Sequence, residues 1–202
     1  MVDVREALVF DYDGVVANTE PLHWKSWAIL LSRYGVELPW EEYCRIGRGV
    51  SDRQMYEHFR ARMSGVDEGE FIRQNSERKR LVRELSLKAS PIAPQTIALL
   101  KSLEDHRLGL VTSSERADVK PILQAAGISE LFDAMVFGDD VAAPKPSPAP
   151  YLIIAERLGV KTGFAFEDSE AGLESARSAG FRSIRVERPE DLPELVKRII
   201  RG

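Results

Sequence analysis

"VFDYDGVVANTE", residues 9–20, sets two aspartates, Asp11 and Asp13, one residue apart at the end of an apolar run and directly before Gly14. Asp-Gly is a strong tight-turn signal, and strands commonly end in polar loops. The same pair also suits a site in which one carboxylate attacks or binds a metal while its neighbour moves protons. What decides between them is whether other reactive residues follow other strands of the same sheet.

Short apolar runs recur at 7–10 (ALVF), 108–111 (LGLV), 134–137 (AMVF), 164–166 (FAF) and 183–186 (SIRV). Each is short and rich in Val, Ile, Leu and Phe, as buried strands are. Helical spacing fills the segments between the later runs, at 94–103, 115–126, 148–158, 170–179 and 191–200. Strand alternating with helix predicts an α/β fold, a Rossmann-like parallel sheet covered on both faces. From 19 to 87 helical patterns follow one another without a strand, which predicts an inserted α-helical cap subdomain, with 1–18 and 88–202 forming the core. "GVVANTEP" and "LKASPIAP" border the insert with residues that favour loops.

Composition narrows the partners. With 28 Lys plus Arg against 32 Asp plus Glu, the formal charge is −4, so nothing pulls the chain as a whole toward nucleic acid or an anionic membrane. The longest apolar stretches fall far short of the ~20 residues of a membrane span. The first ten residues carry acids and lack a basic segment followed by a long apolar one, so no secretory signal is expected. A single cysteine, Cys44, makes no internal disulfide. A reducing cytoplasm is the natural setting. No feature sets an oligomeric state, and a monomer satisfies the sequence.

In open parallel sheets, ligands bind outside the carboxyl ends of the strands. The run at 108–111 continues into Thr112, Ser113 and Ser114 before a helix, where hydroxyls and helix-start amides hold phosphate as readily as they cap. The third run leads to "GDDVAAPKPSPAPY", a proline-rich loop carrying Lys145. "FAFEDSEAG" places Glu167 and Asp168 at the end of the fourth, where acids also cap the following helix. Each signal is weak alone; together they put acids, hydroxyls and a lysine on successive strand ends.

In that order, "FDYDGVVANTE", "LVTSS", the lysine of "PKPSPAPY" and "FEDSEAG" resemble the four motifs of the haloacid dehalogenase superfamily over essentially the whole chain. The likeness is to members with a helical cap after the first motif, the group of β-phosphoglucomutase and many sugar-phosphate and phosphoglycolate phosphatases. The resemblance implies a Mg²⁺-dependent phosphatase acting on a small phosphorylated metabolite through an aspartyl-phosphate. It makes Asp11 the nucleophile and Asp13 the general acid and base, whose main-chain carbonyl helps hold Mg²⁺. Thr112 and Lys145 grip the phosphoryl oxygens, with Ser113 and the amides near Asp13 and Gly14 completing the cradle. Asp11, Asp13 and Asp168 are the implied metal ligands, and Glu167 ligates through water or orients the others. Family members that cleave carbon–halogen bonds lack the second aspartate, so the presence of Asp13 argues against that reaction.

The same resemblance gives the insert the choice of substrate. His23 and Trp27 are four apart and share a helix face. The pair resembles the cap entry of β-phosphoglucomutase and its phosphatase relatives, which implies a candidate substrate contact at His23, while Trp27 suits packing of a cap helix. "GRGVSDRQ" resembles the cap loop with which β-phosphoglucomutase holds a second phosphate, through Arg48, Gly49 and Ser51. Asp52 stands where that enzyme has arginine, and Arg53 comes one residue late, turned by ~100° on a helix. That departure favours a phosphatase over a mutase. A third reading is a module that binds phosphometabolites with little turnover.

Overall fold

A computed structural model describes residues 6–47, 52–63 and 65–201, in two compact units. One unit combines the chain up to Asn18 with Ser90 onward; the other is Thr19–Ala89.

The first unit is built on five short parallel strands: β1 (Ala7–Phe10), β2 (Leu108–Val111), β3 (Ala134–Val136), β4 (Gly163–Glu167) and β5 (Arg182–Arg185), in the order β3-β2-β1-β4-β5. The predicted strands are all present, with ends displaced by one residue at most. The fourth is longer than its apolar run, because Glu167 pairs in register with Arg185 and is the last residue of β4.

Successive residues of a strand face opposite sides of the sheet, and β1 shows why an unbroken apolar run is needed. Leu8 and Phe10 join a core with Leu110, Val119, Leu123 and Val196, whereas Ala7 and Val9 join a second with Tyr151, Ile154 and Ala176. The first core is closed by α5 (Pro94–Lys101), α6 (Arg116–Ala125) and α9 (Leu192–Arg201), the second by α7 (Ala149–Leu158) and α8 (Glu170–Ser178). Each observed helix lies within two residues of its predicted span. The α/β reading holds: a three-layered Rossmann-like core. Strand order reverses at β1, whose neighbours are β2 and β4, and there the crevice at the carboxyl ends opens.

The second unit is helical among its described residues: α1 (Glu20–Ser32), α2 (Trp40–Ile46), α3 (Asp52–Phe59) and α4 (Glu68–Lys88). Its core is aromatic. Trp27 on α1 is buried and stacks on Phe71 of α4 at 5.7 Å between ring centroids. Arg78 lies over the Trp27 ring at 4.0 Å and donates to Asn75 Oδ1 at 2.6 Å. Trp27 is thus the packing residue its helix position implies. No helix among the described residues is long and apolar enough to cross a membrane.

Candidate active site

The site is built from four loops at the carboxyl end of the sheet. Asp11 directly follows β1, and its N–H donates to the Phe166 carbonyl of β4 at 2.9 Å, which carries the β1–β4 ladder one residue beyond the strand. Phe10 and Phe166, partners in register, stack at 5.0 Å beneath it. The acidic loop is therefore seated on a rigid apolar base. The chain then turns sharply: Gly14 has φ of 75°, and its N–H bonds the Ala17 carbonyl at 2.9 Å. A side chain at position 14 would also run into Asp168 Oδ2, so glycine lets the β1 and β4 loops approach.

Lys145 is the centre of the charge arrangement. Its Nζ donates to Asp11 Oδ1 at 2.9 Å, to the Val111 carbonyl at 3.2 Å and to Glu167 Oε1 at 2.6 Å. Its side chain is 7% exposed, that of Asp11 9% and that of Glu167 0%. Burial works against the lysine's charge, but Asp11 and Glu167 outweigh it and hold Lys145 above the usual lysine value. Asp11 sits at the other extreme. Burial, followed by the charge of Glu167, pushes its carboxyl well above the ordinary range against the pull of Lys145, with Asp168 and Asp13 adding to the rise.

One carboxylate oxygen from each of Asp11, Glu167 and Asp168 lies within 4.8 Å of the other two. Asp13 turns its carboxylate toward the end of β2, where Ser114 Oγ donates to its Oδ2 at 2.7 Å and Thr112 Oγ1 approaches at 3.5 Å. Of these four acids, Lys145 bonds two, Asp11 and Glu167. Glu167 Oε2 is buried with no hydrogen-bond partner, and a side chain at Gly172 would fill its place. Crowded oxygen donors with excess negative charge and an orphaned buried oxygen fit a hard divalent cation of the Mg²⁺ class.

The structure brings together Asp11, Asp13, Gly14, Thr112, Lys145, Glu167 and Asp168. Ser113 is exposed, and the hydroxyl on Asp13 belongs to Ser114. His23, half-buried, lies in the first turn of α1 in the helical unit. Arg48, Gly49 and Ser51 lie outside the described residues. Arg53 is exposed on α3, 3.7 Å from Glu68.

Two partners of the site were not singled out by sequence. Tyr151, fully buried on α7, donates its hydroxyl to Glu167 Oε1 at 2.6 Å; burial, then Glu167, pushes that hydroxyl well above its usual pKa. Arg185 at the end of β5 donates to the Asp168 carbonyl at 2.8 Å and pairs with Glu170. Tyr151 closes the quoted stretch "PKPSPAPY", six residues after Lys145, and that spacing was its one sequence signal.

Comparison with known proteins decides the family. The profile of the haloacid dehalogenase-like hydrolases matches residues 8–186. The chain belongs to that family. Among its relatives is a phosphorylated carbohydrates phosphatase of Thermotoga maritima, 34% identical over 183 residues, covering 89% of this chain and 83% of that one. The fructose-1-phosphate phosphatase YqaB of Escherichia coli is 29% identical over 92% of this chain and 98% of its own. Of solved structures, a CbbY mutant from Rhodobacter sphaeroides in complex with xylulose-1,5-bisphosphate superposes with a TM-score of 0.72, at 28% identity over 90% of this chain and 85% of that one. As a haloacid dehalogenase-like hydrolase with phosphatases among its relatives, the chain is a phosphoric monoester hydrolase.

Proposed function

We propose that this hydrolase cleaves a small phosphorylated carbohydrate by forming an aspartyl-phosphate on Asp11, with Mg²⁺ bound by Asp11, Asp168 and the Asp13 carbonyl, and Glu167 ligating or orienting those ligands. The observation that carries the reading is the Lys145 ammonium between Asp11 and Glu167, with Asp168 beside them. A phosphate monoester is a dianion that repels a carboxylate, so charge must be offset before attack. When bound, the cation supplies that offset and draws Asp11 toward its ionised form.

Lys145 orients the Asp11 carboxylate through Oδ1 and, with Thr112 and the amides near Gly14, takes up negative charge on the phosphoryl oxygens. Asp11 then attacks phosphorus. Asp13 gives a proton to the leaving oxygen and in the second half-reaction takes one from the water that releases phosphate. The names of the relatives support a sugar phosphate as substrate.

The Thr19–Ala89 unit is read as the cap, with substrate choice assigned to His23 and to the segment carrying Arg48, Gly49 and Ser51. One cysteine and no long apolar segment suit a reducing cytoplasm.

The test is phosphate release from a panel of sugar phosphates, phosphoglycolate and nucleotides, with Mg²⁺ and with chelator. Metal-dependent release, greatest on sugar phosphates, is expected. Isomerisation of β-glucose 1-phosphate without release would replace the phosphatase with a mutase, and saturable binding without turnover would replace both with a binding module.

A further inference from the structure

The Ser114 hydroxyl reaches Asp13 across 101 residues of chain, at 2.7 Å, and its backbone is fixed on both sides. Its N–H donates to Thr112 Oγ1 at 3.0 Å, and its carbonyl accepts from the Gly138 N–H at 2.9 Å. A side chain at Gly138 would run into the Ser113 carbonyl, so glycine there lets the loop after β2 seat on the end of β3. Two residues on, the Arg116 N–H bonds Asp139 Oδ1 at 2.9 Å, and its guanidinium bonds Asp140 at 2.7 Å. Ser114 is therefore presented to Asp13 by a loop tied to its neighbour at several points. Thr112 Oγ1, at 3.5 Å from the same oxygen, is at the limit of a hydrogen bond.

The geometry points to Ser114 as a positioning residue that holds the Asp13 carboxyl at the end of β2 for proton transfer. This rests on the reading of Asp13 as general acid. Donation from Ser114 to Oδ2 favours the carboxylate that Asp13 becomes once its proton is given up.

In the first half-reaction a bond forms between an Asp11 carboxylate oxygen and phosphorus while the bond from phosphorus to the alcohol oxygen breaks. The electron pair stays on that oxygen, which takes the proton of the Asp13 carboxyl. Asp13 is left as a carboxylate, and its bond from Ser114 becomes charge-assisted and stronger. A contact that strengthens as the proton leaves lowers the barrier instead of merely binding the ground state. Its loss falls on leaving-group protonation and spares substrates that need little of it.

The test compares kcat/KM for the wild type, Ser114→Ala, Ser114→Thr and Asp13→Ala, each with Mg²⁺, on two substrates. p-Nitrophenyl phosphate releases a stable phenolate; fructose 1-phosphate releases an alkoxide that must be protonated. Asp13→Ala is expected to lose far more on the sugar phosphate. Ser114→Ala is expected to lose about 10- to 100-fold on the sugar phosphate, the worth of one hydrogen bond to a charged group, and only a few-fold on p-nitrophenyl phosphate. Ser114→Thr, which keeps the hydroxyl, is expected to keep the wild-type ratio between the substrates. Equal losses on both substrates in Ser114→Ala, or a shifted ratio in Ser114→Thr, would overturn the inference and make Ser114 a phosphate contact or a structural residue. An Asp13→Ala variant indifferent to leaving group would instead overturn the general-acid reading itself.

Discussion

Lys145 Nζ lies 2.6 Å from Glu167 Oε1, an ion pair whose side chains are 7% and 0% exposed. Two such charges are tolerated in a dry interior because each is the other's counter-ion. A second bond of the ammonium, to Asp11 at 2.9 Å, ties the pair to the proposed nucleophile. Removing the lysine leaves two buried carboxylates without a cation between them.

Lys145→Met is therefore expected to destabilise the metal-free protein by about 3–5 kcal/mol, the usual cost of stranding a buried charge. The double variant Lys145→Met with Glu167→Gln should regain part of that loss, because the stranded charge goes with it. Urea unfolding of wild type, single and double variants checks this. A single variant as stable as the double would mean that Glu167 does not depend on the lysine for its charge balance.

At Gly172 the local and the tertiary preferences conflict. The residue lies in the first turn of α8, and within a helix Ala is ordinarily better than Gly by about 1 kcal/mol. Here the added methyl would run into the buried Glu167 Oε2, while Lys145 and Tyr151 hold the same carboxylate through Oε1. Gly172→Ala is expected to lower stability by about 1–3 kcal/mol, as overpacking does, and to reduce Mg²⁺-dependent turnover. A raised melting temperature with full activity would show that Glu167 moves aside freely.

The contrast between Ser113 and Ser114 shows where the sequence stops being informative. Buried parallel strands must be apolar on both faces, so their runs, and the reactive residues at their ends, stand out in one dimension. The strand-end positions of Asp11 and Asp168 were legible for that reason. Which of two adjacent serines reaches Asp13 depends on how the loop after β2 seats on Gly138, a contact 24 residues away in chain that leaves no mark near the serines. Tyr151 was hidden differently. As an aromatic residue on a helix it reads as core, which it is, and only its hydroxyl joins the site.

Asp140 gives a pH dependence away from the proposed metal ligands. Burial raises its pKa, but hydrogen bonds from Arg157 and Arg116 and from the Phe137 N–H outweigh that and leave it below the ordinary value of 3.8. A carboxyl depressed in the folded state adds stability above its unfolded pKa and loses it as pH falls through the folded one. The contribution of Asp140 is thus fully present at neutral pH and fades below about pH 4. Asp140→Asn should be less stable than wild type at pH 7, with the gap closing as the pH is lowered through that range. Melting temperatures of both proteins measured from pH 7 downward check it, and a gap that stayed constant would assign the effect to packing.

Tyr151→Phe isolates one hydroxyl. The ring packs against Phe181 at 5.5 Å between centroids and would remain, while the 2.6 Å bond to Glu167 Oε1 would vanish. Because the phenol is held well above its usual pKa, it stays a donor throughout the neutral range. A buried hydrogen bond to a charged acceptor contributes about 1.5–3 kcal/mol, so the variant should be destabilised by about 1–2 kcal/mol, Lys145 still serving the same oxygen. The second effect should fall on the metal. With one donor fewer, the Glu167 carboxylate is less firmly oriented, and outer-shell donors of this kind typically change metal affinity by about 10-fold or more when removed. Titrating Mg²⁺ against the thermal transition reads both effects together, as a lowered starting temperature and a midpoint moved to higher Mg²⁺. A lowered starting temperature with an unmoved midpoint would confine Tyr151 to packing, and wild-type values of both would show that Lys145 alone holds Glu167 in place.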